Sequence, residues 1–169
     1  MEVIFTEEVN DNDELNELLE GKNIKLPEFR TAVIALFVDK DDNIILQRRG
    51  VKSRDEHHML EDIGGACEER DKTFKDALKR EILEEAGNEI DYDITDFVGS
   101  VLIRKFDIRS NSYVNWLFML YKCIYKNGEF KIAEKDKCEG YEKYKYEDIP
   151  RDETAGSTLF FWDYYMKGR

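Results

Sequence analysis

The sequence predicts a single domain of mixed α/β or α+β class, with a sheet covered by helices. Three observations carry this. The 169 residues suffice for one compact core and are too few for two comfortable ones. Apolar runs of strand length, rich in β-branched residues, interleave with two or three amphipathic helical patterns. No internal repeat or low-complexity tract breaks that order, so residues 1–169 read as one domain.

Taken in order, "EVIF" is a short strand and "DNDELNELLEG" an amphipathic helix stopped by Gly21. Pro27 marks a break, so residues 1–28 form an N-terminal extension packed on the domain. "FRTAVIALFV" has the continuous apolarity of a central strand, and "IILQRR", after the turn "DKDDN", is its expected hairpin partner. From Gly50 to Asp62 the chain is polar and aperiodic. "IGG" then leads through an acidic loop into the helix "FKDALKREILEEAG". "DITDFVGSVLIRKFDI" and "SYVNWLFMLYKCIY" alternate as two strands about the turn "RSN", with a further turn at "KNGEF". "YEKYKYEDIP" is a short strand closed by Pro150, and "GSTLFFWDYYMKG" a final amphipathic helix.

Composition narrows the partners. The 38 acidic residues against 26 basic ones give a formal charge of −12, a poor match to extended nucleic acid or an anionic membrane. Cys67, Cys123 and Cys138 are odd in number and form no CxxC pair, so neither a disulfide framework nor a zinc site is expected. The acidic N-terminus lacks the basic flank and apolar run of a signal peptide, and a cytoplasmic protein is expected.

The helix from Phe74 holds the strongest signal. Its apolar residues Phe74, Ala77, Leu78 and Ile82 mark a core-facing stripe, yet Glu81 and Glu85 fall within ~20° of the Phe74 direction. Glu84 lies one row away. The like-charge pair at i,i+4 weakens a helix, and an unpaired ionised carboxylate near a core costs several kcal/mol. Arg80 offsets part of this, but one arginine cannot neutralise three glutamates. Hard divalent cations, Mg²⁺ or Mn²⁺, prefer such oxygen ligands. Gly64 and Gly65 lie where a strand ends, so that a backbone carbonyl can approach an ion or a phosphate.

These residues resemble the Nudix box, G-x5-E-x7-R-E-U-x-E-E-x-G-U with U a bulky apolar residue. Arg80, Glu81, Ile82, Glu84, Glu85 and Gly87 match its second half. Counted from Gly65, Asp71 stands at the first box glutamate, one residue is inserted before Arg80, and Asn88 replaces the last apolar residue. "AVIALFVDKDDNIILQRRG" resembles the hairpin preceding the box. "EKDKCEGYEKYKYEDIP" resembles a stretch of MutT-like nucleoside triphosphate pyrophosphatases, matching at Glu134, Lys137, Cys138, Ile149 and Pro150, with Lys135, Tyr141 and Lys143 departing from it.

The resemblance implies the Nudix fold, an α/β/α sandwich of α+β class with a mixed central sheet. It also implies hydrolysis of a nucleoside diphosphate linked to another group, most simply a nucleoside triphosphate cut to monophosphate and pyrophosphate. Mg²⁺ or Mn²⁺ would be held by Glu81, Glu84, Glu85 and the Gly65 carbonyl, with Arg80 fixing Glu84. The group that activates water is Glu84, Glu85, or one of Glu134, Asp136 and Glu139. In "QRRGVKSR", with Arg48, Arg49, Lys52 and Arg54, Arg48 or Arg49 is expected on the terminal phosphate. Tyr113, Lys137 and Trp162 are expected around the base, with Glu134 nearby, and His57 and His58 in a solvated loop. The alternatives are a pyrophosphatase of ADP-ribose, nucleotide sugars or dinucleoside polyphosphates, an isopentenyl-diphosphate-isomerase-like enzyme, and a non-catalytic nucleotide sensor. A monomer or a homodimer suits each of them.

Overall fold

The computed structural model describes residues 1–53 and 55–169. Elements follow the chain as β1 (Glu2–Phe5), α1 (Asn12–Gly21), β2 (Phe29–Val38), β3 (Ile44–Arg49), β4 (Leu60–Glu61), β5 (Ile63–Ala66), α2 (Phe74–Ala86), β6 (Ile90–Asp107), β7 (Ser112–Gly128), β8 (Cys138–Tyr144) and α3 (Gly156–Lys167). One mixed sheet runs β1-β6-β7-β2-β3-β4, with β5 added to β2 and β8 to β3. β2 and β7 are parallel, and every other pairing is antiparallel.

β2 is apolar throughout because both its faces are covered. Val33, Ala35 and Phe37 point into a core shared with Leu15 and Leu19 of α1 and with Phe74, Leu78 and Ile82 of α2. Ile34, Leu36 and Val38 point into a second core with Phe161 and Trp162 of α3. The result is a helix–sheet–helix layering of α+β class, as the resemblance implies. The N-terminal extension is part of it. β1 adds to the β6 edge, and the Asn10 carbonyl accepts the Phe74 N–H at 2.7 Å, next to the start of α2.

The expected β2–β3 hairpin holds only at its base. Phe37 and Val38 pair with Ile45 and Ile44, and beyond them the strands separate. β2 then takes β5 along Ala32–Ala35, while β3 takes β8 along its length and β4 at Gln47 and Arg48. This divergence brings together groups far apart in sequence. The β3 side chains, the β4–β5 segment and the inward face of α2 all meet there.

Candidate active site

α2 begins at Thr73, whose side chain accepts the Asp76 N–H, and stops at Gly87, with φ +83. It crosses behind β5, where the two glycines let it approach. A Cβ on Gly65 would stand 2.6 Å from the Glu81 carboxyl carbon, and one on Gly64 would meet the Val33 carbonyl oxygen at 2.2 Å. The Gly-Gly pair therefore makes room for Glu81 on one side and for β2 on the other.

Glu81 and Glu85 turn inward as the helical phase requires, while Glu84 stays on the rim with a side chain 48% exposed. Glu85 Oε2 accepts the Gln47 side-chain amide at 3.0 Å and the Gly64 N–H at 3.2 Å. Gln47 also donates to Glu61 Oε1 at 3.2 Å, so one β3 amide links two carboxylates. Burial, with the Glu61 and Glu81 charges beside it, pushes Glu85 up to about 8. Burial also raises Glu61 and Glu81, against the pull of Arg49 and Arg80 respectively. Glu61 lay hidden in the aperiodic stretch. Only its pairing opposite Gln47 in β3 brings it here.

Arg80 does more than hold Glu84. Its guanidinium grips Asp71 through two bonds of 3.0 and 2.9 Å, donates to Glu81 at 2.8 Å and to the Ala66 carbonyl at 3.0 Å, and lies 3.3 Å from Glu84. Arg80 holds Asp71 below the usual carboxylate range. Asp71 thus uses the shifted loop to anchor the arginine behind the cluster. As the side chains stand, no three acidic, histidine or cysteine groups among the described residues converge as a ready ion shell. Arg80 and Gln47 engage the oxygens instead.

The β3 arginines separate by strand alternation. Arg49 lines the cleft, bonded to Glu61 and, at 3.0 Å, to Asp55. Arg48 points to the other face, pairing with Glu142 and Glu153, which corrects the expectation that either could reach a phosphate. Arg54 lies outside the described residues. On the far wall of the cleft stand Glu134 and Lys137, paired with each other at 2.8 Å. Asp136 is engaged by Lys52 and Glu139 by His58, and neither lines the cleft. His57 contacts the Ser53 carbonyl within its own loop.

A second cavity adjoins this cleft, and Arg49 and Glu61 line both. Its walls are Trp116, Phe118, Phe161, Ile34 and the Gly64–Ala66 backbone. Three expected base contacts are absent from it, and one of them, Lys137, stands in the carboxylate cleft instead. Trp162 is 1% exposed and donates its indole N–H to Asp62 Oδ1 at 2.8 Å, so it is core. Tyr113 stands opposite Phe106 across the β6–β7 hairpin, on the face away from Trp116 and Phe118. The aromatics that line the cavity are Phe106, Trp116, Phe118 and Phe161. Asp62 borders it, and burial pushes its carboxyl up to about 8. Its Oδ2 has no hydrogen-bond partner among the described residues.

The arrangement is chemically specific. An acidic, oxygen-lined cleft opens beside an aromatic cavity, divided by an arginine–glutamate pair. The oxygen donors suit a hard cation, and the aromatic walls suit a flat ring.

The NUDIX domain family model matches residues 28–161. The sequence matches none of the curated proteins. Among solved structures, the chain resembles a MutT NUDIX hydrolase from Burkholderia pseudomallei, with 21% identity and a TM-score of 0.62 over 81% of this chain and 98% of that one. It also resembles a MutT protein from Methanosarcina mazei, with 21% identity and a TM-score of 0.65 over 85% and 95%. A third similar structure is the NUDIX domain of Shewanella oneidensis NrtR complexed with ADP ribose, with 13% identity and a TM-score of 0.64 over 93% and 97%.

Proposed function

The chain belongs to the NUDIX domain family, and from that premise we propose that it hydrolyses nucleoside triphosphates to monophosphate and pyrophosphate with the help of divalent cations. The observation that carries this is the cleft itself. Glu61, Glu81, Glu84 and Glu85 border one space beside a cavity walled by Trp116, Phe118 and Phe161. A substrate with a flat ring at one end and a chain of anions at the other matches the two spaces.

The all-oxygen donor set fits Mg²⁺ or Mn²⁺, with Glu81, Glu84, Glu85 and the Gly65 carbonyl as the groups that would hold it. Bound there, such an ion would neutralise phosphate charge and favour attack by water. The protein's own groups supply the rest. Arg80, locked to Asp71, keeps Glu81 aimed at the Gly65 strand. Gln47 fixes Glu85. Arg49 stands on the partition, where the phosphate nearest the sugar would pass. Glu134 is the distal-loop carboxylate on the cleft wall, and it orients the attacking water.

ADP-ribose is the second reading, favoured by the likeness over nearly the whole chain to a domain crystallised with that ligand. A substrate panel with Mg²⁺ and with Mn²⁺, scored separately for pyrophosphate, phosphate and nucleoside monophosphate, decides between them. Pyrophosphate from several nucleoside triphosphates supports the leading reading. Monophosphate plus ribose phosphate from ADP-ribose supports the second, and nucleotide binding without turnover indicates a sensor.

A further inference from the structure

The cations around the two cavities fall into two groups. Arg49 is paired with Glu61 and Asp55, Lys52 with Asp136, and Lys137 with Glu134. Lys105, which lines the aromatic cavity, and Arg109, which lines the carboxylate cleft, make no ion pair among the described residues. Both belong to the tip of the β6–β7 hairpin. In an acidic protein whose other described cations near the cavities are held in ion pairs, two outside any such pair call for an anion.

Strand alternation explains why they point the same way. Ile103 pairs with Trp116 and Lys105 with Val114, so Lys105 shares the face of the cavity aromatics. Arg104 lies on the opposite face and stacks on Tyr113 at 4.6 Å. Asp107, the last residue of β6, shapes the turn. Its carboxylate accepts the Arg109 N–H and the Ser110 hydroxyl, each at 3.0 Å. Arg109 is thereby carried past the partition to the acidic side. Lys105 already acts on that partition, as its charge pulls Glu61 downward.

We propose that Lys105 and Arg109 form a phosphate clamp, one cation on each side of the Arg49–Glu61 partition, gripping a phosphate chain as it passes from the aromatic cavity to the carboxylate cleft. This rests on the reading of the cleft as a phosphate-processing site, and it adds the residues that grip the chain. The clamp favours substrates that carry a chain of linked phosphates, because its two cations line neighbouring cavities.

The test uses the full-length protein with Mg²⁺, measuring inorganic tripolyphosphate binding by calorimetry and steady-state hydrolysis of nucleoside triphosphate. Lys105→Ala and Arg109→Ala should each weaken tripolyphosphate binding and raise the nucleotide KM roughly tenfold. kcat should fall less than KM rises. Arg109→Lys should recover most of the loss. Arg104→Ala, the same loss of charge on the outer face of the same hairpin, should change neither. Variants indistinguishable from Arg104→Ala overturn the clamp and leave the hydrolase reading standing. Tripolyphosphate binding that depends on both cations in a protein with no turnover supports the clamp while removing the assigned reaction.

Discussion

Glu85 sits among groups that would rather it were neutral, because burial and two neighbouring glutamates hold its carboxyl up to about 8. Replacing it with Gln keeps an oxygen that can accept from Gln47 and removes the group whose ionisation burial opposes. Glu85→Gln should lower kcat by roughly 10²-fold or more, the scale of losing one group that stabilises a transition state, while thermal melting shows no loss of stability. An active variant would remove Glu85 from the chemistry. Asp62 allows a cleaner pH test. Its carboxyl is raised from 3.8 to about 8 by burial. Between those values the unfolded chain has released the proton that the folded chain still holds, so this group makes stability fall as pH rises, until both states are ionised above 8. Asp62→Asn should therefore be more stable than wild type at pH 7, by on the order of 1–3 kcal/mol. Melting curves should show that gap widening from pH 4 to pH 8, and parallel curves would contradict it. Single residues were the least legible in the sequence. Alternation separates Arg48 from Arg49, and Tyr113 from Trp116, but only once register is known. Trp162 reads as a ligand contact until its burial against Asp62 is seen.

At the scale of elements, α2 was the most legible part because its phase carries its own contradiction, carboxylates on an apolar stripe. The β2–β3 hairpin was partly legible. Its turn and composition gave the pairing of Val38 with Ile44, but nothing local foretold that β5 and β8 would compete for the two strands. Glu61 was missed for the same reason. It lies in a two-residue strand too short for any periodic pattern, and its place depends on that divergence. The Gly-Gly element makes a paired prediction. In Gly65→Ala the new methyl meets the movable end of Glu81, so the fold should persist while activity falls roughly 10²-fold. In Gly64→Ala it meets the Val33 carbonyl of β2, and the main loss should be stability, about 1–3 kcal/mol by denaturant unfolding. Reversed outcomes would mean that the glycines do not divide the work this way. Asp71 belongs at this scale as well. It ties the acidic loop to the arginine of α2, and its 7% exposed side chain explains why a shorter acid with one inserted residue still serves.

For the whole molecule, a formal charge of −12 and an anionic substrate are reconciled only if positive charge is concentrated at the site. The fold concentrates it in two ways, through arginines and lysines around the partition and through a cluster of oxygens suited to divalent ions. The layered architecture was legible as a class because β2 is apolar on both faces and the helices are amphipathic. The adjacency of two cavities was not legible, since it arises from the splitting of the sheet. Mutual repulsion of so many carboxylates also predicts a melting temperature that rises with added salt, and more steeply with Mg²⁺ than with Na⁺ at equal ionic strength if the cluster binds the ion. The most direct measurement is Mn²⁺ binding, followed by calorimetry and paramagnetic resonance with a slowly hydrolysed nucleotide present. Wild type should bind the ion, and Glu81→Gln and Glu85→Gln should lose it while still melting cooperatively. Inward-facing acids that attract no ion in wild type, or binding that survives both substitutions, would contradict the account.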